Sequence, residues 1–140
     1  MTARRSPSVD LTPAGWVLGL GSALLTLDSL LSWQRRCDAV GGITICQRAN
    51  AWGASGAPFG ILMGAFAVAT VGVVAFQAAG HTPRWHRSVL PFLISGTVVF
   101  GGAKFGVVLT RFPAFGAWVG LVLLLALAGG ALRWSREAPD

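Results

Sequence analysis

The chain has 140 residues, 54% of them hydrophobic and only 11% charged, with a formal net charge of +6. A soluble domain carries roughly 25% charged residues and, at this length, buries only about 60–70% of its unfolded surface; the apolar surplus excludes an ordinary soluble fold and points to a bilayer. Nucleic acid is not expected as a partner, since the arginines flank apolar blocks and form no basic stripe interleaved with aromatic residues.

The first apolar block runs from Pro13 to Trp33. Thr12 caps it, and Pro13 suits a first helical position, where no backbone N–H is needed. Its length, the presence of Asp28 and the lack of a small-residue cleavage pattern mark a retained span and not a signal peptide. The loop that follows holds the only cysteines, Cys37 and Cys46, and the stretch between them is symmetric about Gly41-Gly42. Two glycines between β-formers favour a two-residue hairpin turn, whose central positions need positive φ. Pairing outward from that turn joins Val40 with Ile43, Ala39 with Thr44, Asp38 with Ile45 and Cys37 with Cys46. The last is a non-hydrogen-bonded pair, whose Cα separation of about 4.5 Å lies within disulfide range. A structural disulfide on an oxidising side of the membrane is therefore expected. Redox catalysis favours the closer Cys-x-x-Cys spacing, and free thiols are the other alternative. A metal site lacks further ligands, because His81 and His86 fall in the opposite loop.

Three more blocks follow. They run from about Ala57 to Ala79, with Pro58 near the start; from about Val89 to Thr110, with Ser88 as cap and Pro91 in the first turn; and from about Ala114 to Arg133, just after Pro113. Each is about 20 residues or slightly longer, which matches a ~30 Å hydrocarbon core at 1.5 Å per residue. The expected fold is an all-α membrane protein. It is a single domain over residues 1–140, a four-transmembrane-helix bundle with a short outer β-hairpin loop. Trp16, Trp33, Trp52, Trp85, Trp118 and Trp134 all lie near span ends or in loops, where indole meets the headgroup layer. With both termini inside, the cytoplasmic segments hold Arg4, Arg5, Arg84, Arg87, Arg133 and Arg136, against Arg35, Arg36, Arg48 and Arg111 outside. That bias and the cysteine loop predict a multi-pass protein of the cell membrane with both termini cytoplasmic.

Asp28 and Lys104 are the only formally charged residues well inside these blocks. Counted from the span ends at 1.5 Å per residue, both lie about 8–9 Å below the outer boundary. Opposite charges at one depth form a candidate intramembrane ion pair, since an unpaired charge costs roughly 2.5–3.5 kcal/mol at a helix centre. Separate snorkelling to the headgroups and proton or cation transport are the alternatives. Small-xxx-small spacing recurs in the spans, where most such faces serve packing within the bundle, and Gly56, Gly60 and Gly64 form the stripe best placed for a membrane-protein partner or a second copy of the chain.

Leu30-Leu31-Ser32-Trp33, Ala51-Trp52-Gly53 and Gly116-Ala117-Trp118-Val119-Gly120 resemble a broad group of small bacterial four-span membrane proteins. In that group the first span ends in a Leu-rich Pro-Trp motif, and Ser32 stands here in place of the proline. The resemblance covers most of the chain in layout; it implies the four-span fold and supplies no activity or site residues. The sequence carries no phosphate loop, catalytic triad, cofactor motif or metal cluster, so no enzyme is expected. The expected function is that of a structural or accessory subunit of a membrane complex. Alternatives are a small ion- or proton-coupled transporter using Asp28 and Lys104, and a thiol redox protein using Cys37 and Cys46.

Overall fold

The computed structural model describes residues 11–53, 55–81 and 85–137. In chain order these form α1 (Pro13–Asp28), β1 (Gln34–Val40), β2 (Ile43–Ala49), α2 (Ala57–Ala78), α3 (His86–Leu109) and α4 (Phe115–Glu137). Three of the four helices, α2, α3 and α4, are long and apolar enough to cross a membrane. α1 has 16 residues and is about 24 Å long at 1.5 Å per residue.

The early end of α1 corrects the first expected span, and its cause is tertiary. Hydropathy continues through Leu30, Leu31 and Trp33, but the helix is closed off at Ser29, whose Oγ donates to Thr26 O at 2.6 Å. Ser29 O then accepts from Ala51 N at 3.1 Å, which ties the turn to the loop before α2. Trp33 folds back into the bundle, fully buried, its ring against Gly120 and its Nε1 donating to Asp28 O at 3.1 Å. A helix continued to residue 33 would lift the indole about 7.5 Å above Asp28, out of that pocket. Trp33 is thus a core residue and not an interface anchor.

The other ends fall closer to expectation. Thr12 caps α1, its Oγ1 accepting from Gly15 N at 3.2 Å, with Pro13 in the first turn. α2 begins at Ala57 as the sequence suggests, after Gly56 at φ 74°. α3 begins at His86, ahead of the expected Val89, because the amides of Ser88 and Val89 already donate to Trp85 O at 3.2 and 3.1 Å. Ser88 is therefore inside the helix and does not cap it. α4 runs past Arg133 to Glu137, and these two side chains form an ion pair one turn apart. Arg4, Arg5 and Arg84, used in the orientation argument, lie outside the described residues.

The helices pack as a ring, α1–α2, α2–α3, α3–α4 and α4–α1, which leaves α1 and α3 across the diagonal. Gly15 near the start of α1 lies against Trp134 near the end of α4, and Gly19 lies against Val74 late in α2. Neighbours are thus antiparallel, and the start of α1 shares an end with the close of α4. The interior is small and partly polar. Gly21, Gly101 and Gly130 admit Leu127, Leu124 and Leu18 from facing helices, and buried Thr70 and Thr97 donate to Phe66 O and Leu93 O at 2.9 and 3.0 Å. The exterior carries the larger apolar residues, Leu20, Leu24, Phe92, Val99, Val122, Leu125 and Leu132 among them. A water-soluble bundle turns its large apolar face inward; helices that associate in lipid approach through small residues and leave the large ones outside.

β1 and β2 form an antiparallel hairpin whose register pairs Val40 with Ile43 and Cys37 with Cys46, then continues to Gln34 with Ala49. The turn glycines take φ of 60° and 83°, as a two-residue turn of this hand requires.

Candidate functional site at the hairpin end of the bundle

A two-stranded hairpin alone is marginal in water, and here backbone links tie its foot to the helices. Trp33 N donates to Ala49 O at 2.9 Å, Ala114 N donates to Trp33 O at 2.9 Å, and Arg35 N donates to Phe112 O at 3.3 Å. Gln34, itself buried, bridges to Pro113 through its backbone and donates from Nε2 to Ser55 O at 3.1 Å. The hairpin, the loop before α2 and the α3–α4 turn therefore meet at one end of the bundle. Within the hairpin, Cys37 and Cys46 form a disulfide with 4.0 Å between Cα atoms, at the non-hydrogen-bonded position that the turn dictates. Arg35 Nη2 approaches Cys46 Sγ at 3.6 Å.

Asp28 and Lys104 are both buried, yet they do not pair. The ion pairs among the described residues are Arg36–Asp38 and Arg133–Glu137. The expected pair is corrected for two reasons. Equal depth did not bring the residues together, because α1 and α3 stand across the diagonal. Lys104 Nζ is also already engaged, donating to Gly53 O at 3.0 Å and Ser55 O at 2.7 Å. Two carbonyl dipoles answer a buried ammonium with no carboxylate present. Asp28 turns instead toward α4, where a Cβ on Gly120 would stand 2.9 Å from Asp28 Oδ2. The residue is only 3% exposed, and neither carboxyl oxygen has a hydrogen-bond partner among the described residues.

Gly60 and Gly64 lie close against the chain's own loop, and Gly56 against α3. A Cβ at Gly60 would fall 1.8 Å from Ala51 O, one at Gly64 would fall 3.2 Å from the Trp52 ring, and one at Gly56 would fall 3.3 Å from Val107. Trp52 is anchored over this stripe by its Nε1, which donates to Ser29 Oγ at 2.7 Å. Lys104 holds the far side of the same loop, so the stripe is covered.

Between the foot of the hairpin and the α3–α4 turn lies a cleft of about 740 Å³, lined by Arg36, Asp38, Gln47, Arg48, Arg111 and Phe112 among others. Asp38 Oδ2 pairs with Arg36 Nε at 3.2 Å. The chain matches no family model, no curated protein and no solved structure. Its chemistry must therefore be read from these side chains alone.

This end offers a closed disulfide, a carboxyl without a partner, a lysine fixed on carbonyls and a cationic cleft. Sequence reading singled out the first three and missed the cleft. The available signal was the Arg111-Phe112-Pro113 turn, which joins two helices without a glycine although one of its residues takes a left-handed conformation.

Proposed function

We propose that the chain is a four-span protein of the cell membrane that acts as a structural or accessory subunit, with its hairpin on the outer side. The observation that carries this reading is Lys104. The only cation buried in the described bundle is fixed on Gly53 and Ser55 of its own loop, a structural use that leaves it no part in a transport path. The outward glycines support the same reading. A Cβ at Gly102 or Gly106 of α3 would meet nothing within 4 Å, so this face has room for another helix to approach closely. In this reading α1 is the fourth span, shorter than the others because the chain turns at Ser29 and brings Trp33 back to Gly120. Co-purification in mild detergent tests the subunit reading. A stoichiometric membrane partner, or a second copy, is expected, and Gly106→Leu should release it without lowering the chain's own melting temperature. A lone monomer in native membranes, unaffected by Gly106→Leu, counts against it.

A second reading rests on Asp28, whose two unpartnered oxygens support a proton or cation site in a small transporter. Proteoliposomes with a pH-sensitive dye test it. Proton flux lost in Asp28→Asn favours this reading, and absence of flux in the wild-type chain removes it.

A further inference from the structure

The cleft at the foot of the hairpin gathers arginines from three separate elements: Arg36 from β1, Arg48 from β2 and Arg111 from the turn after α3. Asp38 is the acid on its wall, and it is already paired with Arg36. Arg48 and Arg111 have no ion pair among the described residues. The cleft thus carries three arginines against one acid, and the planar fork of a guanidinium matches the oxygens of a phosphate or a carboxylate.

The second observation is the backbone beside them. Phe112 has φ 69°, the one left-handed non-glycine residue among those described, a conformation that costs roughly 1–2 kcal/mol. Such strain persists where the surrounding structure enforces it, and it gathers at functional positions. Here Arg35 N holds Phe112 O, and the Phe112 ring points out of the protein, 77% exposed, with Phe115 equally exposed on the next element. The cationic cleft thus has an apolar lip, at the level where the apolar faces of α3 and α4 end. A charged recess above aromatic rings fits an amphiphile with an anionic head. A free phosphate would use the arginines and have no use for the rings. The volume lies within the roughly 300–1,000 Å³ of small-molecule sites.

We propose that this cleft binds the phosphate headgroup of an anionic phospholipid, with Arg48 and Arg111 on the phosphate and Phe112 and Phe115 against its acyl chains. The proposal depends on the bundle lying in a bilayer, and it is independent of whether the chain is a subunit or a transporter.

The test uses the full chain, disulfide intact, in phosphatidylcholine nanodiscs doped with phosphatidylglycerol, with retained lipid counted by native mass spectrometry. Phosphatidylglycerol should be retained in preference. At about fivefold per arginine near a membrane surface, Arg48→Gln with Arg111→Gln should weaken it about 25-fold. Arg133→Gln with Arg136→Gln, which removes the same charge from the opposite end, should leave retention unchanged. A photoactivatable phosphatidylglycerol added to the wild-type chain should crosslink to the peptide that holds Phe112 and Phe115, a readout that needs no variant to fold. Equal retention of the two lipids, or crosslinks spread around the bundle, overturns the proposal. So does a preference for inorganic phosphate that displaces the lipid, which would make this a soluble-anion site.

Discussion

At Gly60 an added Cβ would meet Ala51 O, a backbone atom that cannot swing aside, whereas at Gly106 it would meet open space. Both glycines lie within helices, where alanine is intrinsically better by about 0.5–1 kcal/mol. The two substitutions should therefore differ in sign. Gly106→Ala is expected to raise the melting temperature in detergent slightly. Gly60→Ala must push the loop off α2, at a cost of about 1–3 kcal/mol as for other overpacked sites. Release of that loop would also loosen Trp52 from Ser29 and strain the carbonyls that hold Lys104, so the loss should sit at the upper end of that range. Equal melting temperatures for the two variants would mean that Ala51 does not rest on this glycine.

Among the elements, the arrangement of helices decides how the buried charges behave. Lys104→Met leaves the half-buried Gly53 carbonyl without its donor, at about 1–3 kcal/mol, while Ser55 O keeps the side-chain amide of Gln34. Asp28→Asn replaces a buried carboxyl that has no partner, so it should be mild or stabilising. Residues with no shared partner add to within about 0.3–0.5 kcal/mol. The double variant should thus show the sum of the single effects, measured as thermal stability in detergent. A double variant markedly more stable than Lys104→Met and Asp28→Asn together predict would reveal the ion pair that the diagonal placement forbids. That pair illustrates where sequence reading stops. Spans of about 20 apolar residues, the Thr12–Pro13 start and the register set by Gly41-Gly42 are local properties, and the chain states them locally. The depth of Asp28 and Lys104 is local too, but which helices are neighbours is not, so equal depth does not imply contact. Trp33 shows the same limit. An indole at the end of an apolar run looks the same whether it faces headgroups or turns inward, and only Gly120, far along the chain, makes the pocket that draws it in. Small-xxx-small spacing is likewise local, but what lies over Gly56, Gly60 and Gly64 is not: Val107 of α3 for the first, and the loop at Ala51 and Trp52 for the other two.

In the molecule as a whole, α1 stands apart from the three longer helices, which are long and apolar enough to cross a membrane. Its 16 residues reach about 24 Å, short of a ~30 Å core. The proposal that it crosses rests on packing. Gly15 sits beside Trp134 near the close of α4, while Asp28 and Trp33 at the other end meet Gly120 early in α4, so α1 runs alongside α4 between these two levels. Beyond Asp28 the chain folds back to bring Trp33 to the same glycine, with Leu30 and Leu31 exposed at the turn. Single cysteines in a Cys37→Ser/Cys46→Ser background separate the two topologies. Position 42 at the hairpin tip marks one side, and position 85 before α3 marks the other. In intact cells an impermeant maleimide should label Gly42→Cys and spare Trp85→Cys until the membrane is permeabilised. Position 11 decides the span count. If α1 crosses, Leu11→Cys is protected together with Trp85→Cys; if it lies along the surface, Leu11→Cys reacts together with Gly42→Cys. The approach of Gly15, one turn further on, to Trp134 near the end of α4 predicts protection. Labelling at position 85 with position 42 protected would invert the orientation, and would put the disulfide on a side where such bonds rarely persist.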